Sequence, residues 1–209
     1  ISTFRDIPYL GSFRCNDERL NRIWKTGAYT VHLNMQEYLW DGVKRDRLVW
    51  MGDAHPELRT ILSVFGDNEV LRKTFDQARD QTPLPGWMNG ICAYSLWWIL
   101  IHRDYYNYTG DRAYLTEQQQ YLEGLLSQVI ESVDEQGREH LQDGGRFLDW
   151  PTSKNKPAVN AGLQALVVMS LEAGEQLMQV LNNDSLASRC QVTVERMRQA
   201  IPDYKQSKQ

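Results

Sequence analysis

The segment ICAYSLWWILIHRDYYNYTGD, residues 91–111, decides the fold class of this chain. Its first part, Ile91 to about Tyr108, is strongly apolar and predicts one long helix. Gly110 suits the residue that ends a helix, and Asp111 suits the cap of the next helix. The apolar run contains Tyr and Ser and is too short to span a bilayer. The segment therefore predicts a helical hairpin in a globular domain, with no membrane partner.

Helical patterns continue on both sides of this hairpin, with caps at plausible positions. Two segments interrupt them as long loops, QTPLPGWMNG at residues 81–90 and the stretch from about 134 to 157, because prolines and glycines break any period. We count about seven helices and no convincing strand pattern, which predicts an all-α chain of helical hairpins. The first predicted helix begins at Asn16 or Asp17, and its apolar side is formed by Leu20, Ile23, Trp24, Val31, Met35 and Tyr38. The second begins at His55–Pro56 and ends near Gly66, and the third begins at Asp67 or Asn68. Of the last two, one begins after Pro157 and the other begins at Asp184 or Ser185 and ends before Pro202.

Length, charge and residue composition argue against several classes of function. The 209 residues suffice for one sizeable domain, so we predict a single domain over 1–209. A formal charge of −4 argues against nucleic-acid or anionic-membrane binding. The three cysteines are far apart, so no disulfide framework is predicted. The four histidines are scattered and the chain contains no phosphate-binding loop, so neither a metal nor a cofactor is predicted. Because the chain begins with Ile1, we expect a piece of a longer polypeptide, and the cytoplasm, the periplasm and secretion all stay open.

The segment DGVKRDRLVWMGD, residues 41–53, concentrates charge between two predicted helices. Gly42 and Gly52 interrupt helix, so Asp41, Asp46 and Asp53 are expected on an ordered loop. Such carboxylates can bind sugar hydroxyls, bind a divalent metal, or donate a proton when their surroundings raise the pKa. The three intervening basic residues oppose a metal site. The structural alternative stays open, because an Asp before Gly is often a turn residue and Arg–Asp pairs often order loops.

Two other loops carry aromatic rings. GGRFLDWPT pairs Asp149, a hydroxyl acceptor, with Trp150, and PGWMNG places Trp87 near Asn89. The alternative for either tryptophan is core packing at the base of a loop. A shared site requires all three loops to meet at one end of the helices.

Taken together, YLGSFRCNDERLNRIWKTGAYT at residues 9–30, the 41–53 loop, YNYTGD and RFLDWPT resemble the catalytic domain of bacterial alpha-L-rhamnosidases. The resemblance covers most of the chain, and the 41–53 loop is its most specific element. It implies an (α/α)6 barrel of six helical hairpins, of which about seven helices form only the first part. It also implies that terminal alpha-L-rhamnose is removed from oligosaccharides or glycosides with inversion.

The resemblance implies roles for seven residues. Asp46 falls at or next to the position of the general acid, and is the predicted proton donor. The remaining six would bind or surround the sugar: Asp41, Arg45, Trp50, Asp53, Asp149 and Trp150.

The chain departs from the family pattern in two ways. Many relatives have a Glu where this chain reads RDR, and the general-base glutamate should follow FLDWPT. After Pro157 the only glutamates are Glu172, Glu175 and Glu195, all within helical patterns. We therefore expect this chain alone to be inactive, and to need the rest of its parent chain or self-association to cover apolar helix faces. The alternatives are a degenerate, non-catalytic module that binds carbohydrate or a protein, and a helical scaffold with no sugar role.

Overall fold

The computed structural model describes residues 5–200, which confirm the all-α prediction. Strand pairing among them is limited to isolated bridges. A single 3₁₀ turn, Met88–Gly90, interrupts one of the loops. The seven α-helices are α1 Glu18–Asn34, α2 Met51–Val64, α3 Glu69–Asp80, α4 Cys92–Thr109, α5 Arg112–Glu131, α6 Lys156–Val180 and α7 Asp184–Gln199.

The helices pack in two layers. Helix α4 lies between α2 and α6 and contacts both, and α1, α5 and α7 pack against this inner row. The core is built on α4, where Trp98 and Tyr105 are almost completely buried, together with Phe75 of α3. The connections α2–α3, α4–α5 and α6–α7 are short, so the two helices of each of these pairs run antiparallel. The three long connections, loop A (35–50), loop B (81–91) and loop C (132–155), therefore share one end of the helices, which we call the loop end.

Local capping chemistry explains most helix boundaries. Asp17, Asn68 and Asp111 each accept hydrogen bonds from backbone amides in the first turn of α1, α3 and α5, as predicted. Gly110 ends α4 in the left-handed region with φ of 66°, where glycine carries no Cβ penalty. The cap of α7 is Asn183, one residue before the predicted Asp184.

The predicted start of α2 is wrong. The helix begins at Met51, not near His55, so Gly52 and Asp53 lie in its first turn rather than on a loop. Trp50 supplies no side-chain cap. Instead, Asn89 Oδ1 of loop B accepts the Met51 N–H at 3.1 Å. Because the cap comes from a segment about forty residues away, no local sequence signal marks it.

The apolar side predicted for the first helix is only partly its buried side. Leu20 and Ile23 are 47% and 57% exposed, whereas Trp24 and Val31 are partly buried and pack against the core. Ala28 and His32 are buried as well, and the helix ends at Asn34, before Met35 and Tyr38. Exposed apolar side chains such as Leu20 and Ile23 were expected for a partial barrel.

Within residues 5–200, no helix is long and apolar enough to cross a membrane.

Candidate functional site

The three long loops meet at the loop end, as a shared site requires. Asn89 Nδ2 of loop B donates to Val49 O of loop A at 2.9 Å. The Gly145 N–H of loop C donates to Gly90 O of loop B at 2.7 Å. Loop B therefore connects the acidic segment to the segment that carries Asp149 and Trp150.

Asp41 is the most buried carboxylate of loop A. Its side chain is only 4% exposed. Arg45 donates to its Oδ2 at 2.9 Å, across one turn of the loop. Its Oδ1 is buried as well, yet no described residue donates a hydrogen bond to it. Buried acceptors are normally satisfied, so this oxygen is the clearest sign of a ligand at the loop end.

Asp46 lies beside Asp41 on the solvent side of the same guanidinium. Its Oδ2 is 3.3 Å from an Arg45 nitrogen and accepts the Trp50 indole N–H at 3.1 Å. Its side chain remains 34% exposed. Trp50 and Arg45 thus hold the carboxyl in one orientation while leaving it accessible to a bound molecule.

Asp53 completes the carboxylate cluster, by which we mean Asp41, Asp46 and Asp53. It lies in the first turn of α2 rather than on a loop, which corrects the predicted location. Partial desolvation raises its pKa, and the negative charges of Asp41 and Asp46 raise it further, while Arg45 lowers it. One guanidinium therefore neutralises only part of the charge of three neighbouring carboxylates.

Glu57 is a fourth carboxyl of this region that sequence reasoning missed. It follows Asp53 by four residues on α2, so both side chains lie on one face of the helix. Burial raises its pKa to about 8, and the charges of Asp53 and Asp41 add to this effect. A hydrogen bond from Asn34 Nδ2 at 3.5 Å acts in the opposite direction. Glu57 is therefore mostly protonated at neutral pH.

A row of four aromatic rings crosses the loop end. Trp50 meets Tyr94 with ring centroids 6.1 Å apart, Tyr94 meets Phe147 at 6.5 Å, and Phe147 meets Trp150 at 5.1 Å. All three pairs are edge-to-face, the favourable arrangement for aromatic pairs. Trp150, at the outer end, is 79% exposed. The row therefore links the carboxylate cluster to loop C and leaves one large ring free to contact a ligand.

Asp149 has a local structural contact in addition to its position next to Trp150. Its Oδ1 accepts the Thr152 N–H at 2.9 Å and is also bonded by the Thr152 hydroxyl. The residue is exposed. The structure thus places Asp149 at the loop end as a turn residue that lies outside the carboxylate cluster.

Two further polar side chains, Trp87 and Glu139, order the loops. Trp87 is buried and its indole N–H donates to Gln142 O at 2.6 Å, which favours the packing alternative for this ring. The carboxylate of Glu139 in loop C is paired with Arg146 and also accepts the Leu141 N–H at 3.0 Å. These side chains hold loop B and loop C in place.

The two glutamates of α6 do not lie at the loop end, and Glu195 of α7 is exposed and accepts from Gln191. Helix α6 starts there at Lys156, and Glu172 follows sixteen residues later, so about 24 Å of helix separates them. Glu172 pairs with Arg198, and Glu175 accepts from Gln179. Within residues 5–200, no group of three or more His, Cys, Asp or Glu side chains is arranged to hold a metal ion.

The arrangement of helices is shared with solved glycosidase structures. A GH78 family rhamnosidase of Bacillus sp. GL1 aligns with a TM-score of 0.79 at 24% identity, over 97% of this chain. A rhamnosidase from Klebsiella oxytoca, solved with rhamnose bound, aligns with a TM-score of 0.77 at 21% identity, over 92% of this chain. At these identities the likeness shows the fold alone. The chain spans only 22% and 39% of the two solved chains.

The fold is thus that of an all-α domain built from helical hairpins. The chain belongs to the bacterial alpha-L-rhamnosidase six-hairpin glycosidase domain family, whose model matches residues 8–204. A search of curated proteins gave no match.

Proposed function

We propose that this domain removes terminal alpha-L-rhamnose from oligosaccharides or glycosides by an inverting acid/base mechanism. The observation that carries the proposal is the buried Oδ1 of Asp41, to which no described residue donates. A buried acceptor without a donor is unfavourable, and a sugar hydroxyl supplies the missing donor. Family membership supports the glycosidase class.

Each residue of the site has a part in this mechanism. Asp46 is the proton donor, since it is accessible and Trp50 orients it. Asp41 and Asp53 accept hydrogen bonds from the sugar hydroxyls, and Arg45 keeps the cluster together. Trp50 and Trp150 provide apolar ring surface for the sugar, and Asp149 holds the turn that carries Trp150.

Inversion also needs a general base. Its carboxyl must lie about 6.5–9.5 Å from the acid, with room for a water molecule between them. Glu172, Glu175 and Glu195 lie within α6 and α7, and Glu139 is paired with Arg146. None of these four is our candidate base. We therefore expect residues 1–209 alone to hydrolyse rhamnosides poorly, and the test uses the intact protein.

The test replaces Asp46 by Asn and compares aryl rhamnosides that differ in leaving group. Loss of general-acid help should lower kcat/KM about 10²- to 10⁴-fold for a poor leaving group, and much less for a good one. Asp6→Asn, at an exposed site outside the three loops, is the matched control. Undiminished turnover of the poor substrate by Asp46→Asn would remove Asp46 from the mechanism.

A non-catalytic carbohydrate-binding module is the second candidate. The observation that favours it is the lack of a candidate base among the glutamates of α6 and α7. Titration calorimetry with rhamnose and a hydrolysis assay on the same sample of intact protein separate the two functions. Binding without turnover supports the module, whereas turnover supports the hydrolase.

A further inference from the structure

We propose that Glu57 positions loop A for the substrate, and that it does so in its neutral form by holding Asn34. The inference rests on the proposed function for its role in catalysis, although its structural part can be tested without activity. Glu57 is a positioning residue in this proposal, because it acts on the carboxylate cluster through Asn34.

Asn34 connects Glu57 to the start of loop A. Its Nδ2 donates to Glu57 Oε1 at 3.5 Å, and its Oδ1 accepts the Val43 N–H at 3.1 Å. Its backbone carbonyl accepts the N–H groups of Gln36 and Trp40 at 2.9 and 3.0 Å. Asn34 itself is buried. Asn34 thus links the α2 residue Glu57 to the backbone on both sides of Asp41, through its side chain to Val43 and through its backbone carbonyl to Trp40.

The charges around Glu57 explain why the neutral form suits this task. On its own helix it faces Asp53, and from loop A it faces Asp41, so both electrostatic neighbours are negative. Arg45 interacts with the carboxylate cluster from its exposed position. An ionised Glu57 would accept a stronger hydrogen bond from Asn34, but its desolvation and its repulsion of Asp53 and Asp41 outweigh that gain, which is why its pKa is raised. Ionisation therefore disfavours the arrangement of α2 and loop A that Asn34 joins.

Among residues 5–200, no cation from the other elements packed against α2 pairs with Glu57. Helix α1 presents the neutral amide of Asn34. On α4, Asp104 is paired with His55 at 2.9 Å and with Arg103 at 2.6 Å, so these charges are matched among themselves. Tyr94 of α4 has a pKa raised by burial and by the charges of Asp53 and Asp41.

Glu57 therefore gains its negative charge in the mildly alkaline range. The pKa of Glu57 is raised to about 8, mainly by burial. Below that pH the protonated carboxyl adds no charge to the cluster and still accepts from Asn34. Above it, a further negative charge develops beside Asp53 and Asp41. We expect loop A to loosen and the sugar site to lose its geometry as Glu57 ionises.

The direct test is hydrogen exchange at the Val43 amide, which reports the bond to Asn34. Measurements on the intact protein compare wild type, Glu57→Gln, Glu57→Leu and the control Glu117→Gln, an exposed residue of α5. Gln keeps a neutral acceptor for Asn34, whereas Leu removes it. Corrected for intrinsic exchange, Val43 protection at neutral pH should fall roughly five- to tenfold in Glu57→Leu, the equivalent of one lost hydrogen bond. It should be retained in Glu57→Gln and Glu117→Gln.

The pH dependence of Val43 protection in wild type and Glu57→Gln gives a second readout, which holds even if Glu57→Leu does not fold. Opening of the loop exposes Glu57 and returns its pKa towards 4.5, so Val43 protection in wild type should decrease as pH rises from about 4.5 to about 8 and level off above that. This decrease should be absent in Glu57→Gln. Equal pH dependence in these two proteins, or wild-type protection in a folded Glu57→Leu, overturns the proposal.

Activity distinguishes this proposal from the proposed function. If the intact protein hydrolyses an aryl rhamnoside, kcat/KM should decline above about pH 8 in wild type, and this decline should be absent in Glu57→Gln. Turnover with the same alkaline decline in both proteins overturns the role of Glu57 and leaves the hydrolase standing. No turnover at any pH, together with the expected Val43 pattern, overturns the hydrolase and leaves the positioning role standing.

Discussion

Replacing Gly52 by Ala tests whether the ring row fixes the start of α2. A Cβ at Gly52 would lie 2.2 Å from Tyr94 Cε1 and 2.6 Å from Cδ1, far inside van der Waals contact. The Tyr94 ring is buried between Trp50 and Phe147 and has little room to move away. Forcing extra atoms into such packing costs about 1–3 kcal/mol.

Helix propensity acts in the opposite direction. Alanine is favoured over glycine within a helix by about 1 kcal/mol, and by less in a first turn. The net expectation for Gly52→Ala is a loss of about 1–2 kcal/mol in the free energy of unfolding. For a domain of this size each kcal/mol lowers Tm by about 2–4 °C. Urea denaturation followed by tryptophan fluorescence measures the free energy directly.

Gly27 provides a matched control for the same substitution. It lies inside α1, and a Cβ there would have no neighbour within 4 Å. Gly27→Ala should therefore stabilise the protein by about 0.5–1 kcal/mol, since only the propensity effect remains. Opposite signs for the two variants are the expected result. If Gly52→Ala is as stable as Gly27→Ala, Tyr94 does not hold this turn and the ring row is not a rigid part of the site.

Two further predictions concern the polar side chains of His102 and Asn89. Burial lowers the pKa of His102 from 6.5 to about 4, so the unfolded chain takes up this proton first as pH falls. The free energy of unfolding should therefore decrease below pH 6.5, by up to about 1.4 kcal/mol per pH unit, and His102→Leu should lack this share of the slope in urea titrations. Asn89 has φ of 53°, so Asn89→Gly removes its bonds to Met51 and Val49 without backbone strain. We expect the free energy of unfolding to fall by about 1 kcal/mol in Asn89→Gly and by less in Asn89→Asp, because Asp keeps the acceptor for Met51. An unchanged urea midpoint in Asn89→Gly would contradict the cap.

The features that were predicted correctly depend on residues that lie close together in the sequence. The caps at Asp17, Asn68 and Asp111 and the helix end at Gly110 use contacts within a few residues, so pattern and residue type sufficed. The two long loops were predicted because prolines and glycines interrupt helical periodicity. The carboxylates of residues 41–53 were found because their spacing resembles that of a known family.

What the sequence missed depends on contacts between distant segments. With α2 expected to begin near His55, Asp53 was assigned to a loop, and its i,i+4 relation to Glu57 stayed hidden. The true start at Met51 needs Asn89, which no local pattern connects to it. Tyr94 lay within an apolar helix and gave no sign that its ring would pack on Gly52.

The same dependence explains how the site is held in place. Loop B is the common support, because Asn89 caps α2 and bonds loop A while Gly90 bonds loop C. The cap fixes where α2 begins, and the start of α2 fixes the turn on which Asp53 and, four residues later, Glu57 project towards Asp41. A change in loop B that touches no carboxylate should therefore disturb the carboxylate cluster as much as a change within loop A. Loop B is therefore a structural part of the candidate site even though none of its side chains is a candidate acid, base or hydroxyl acceptor.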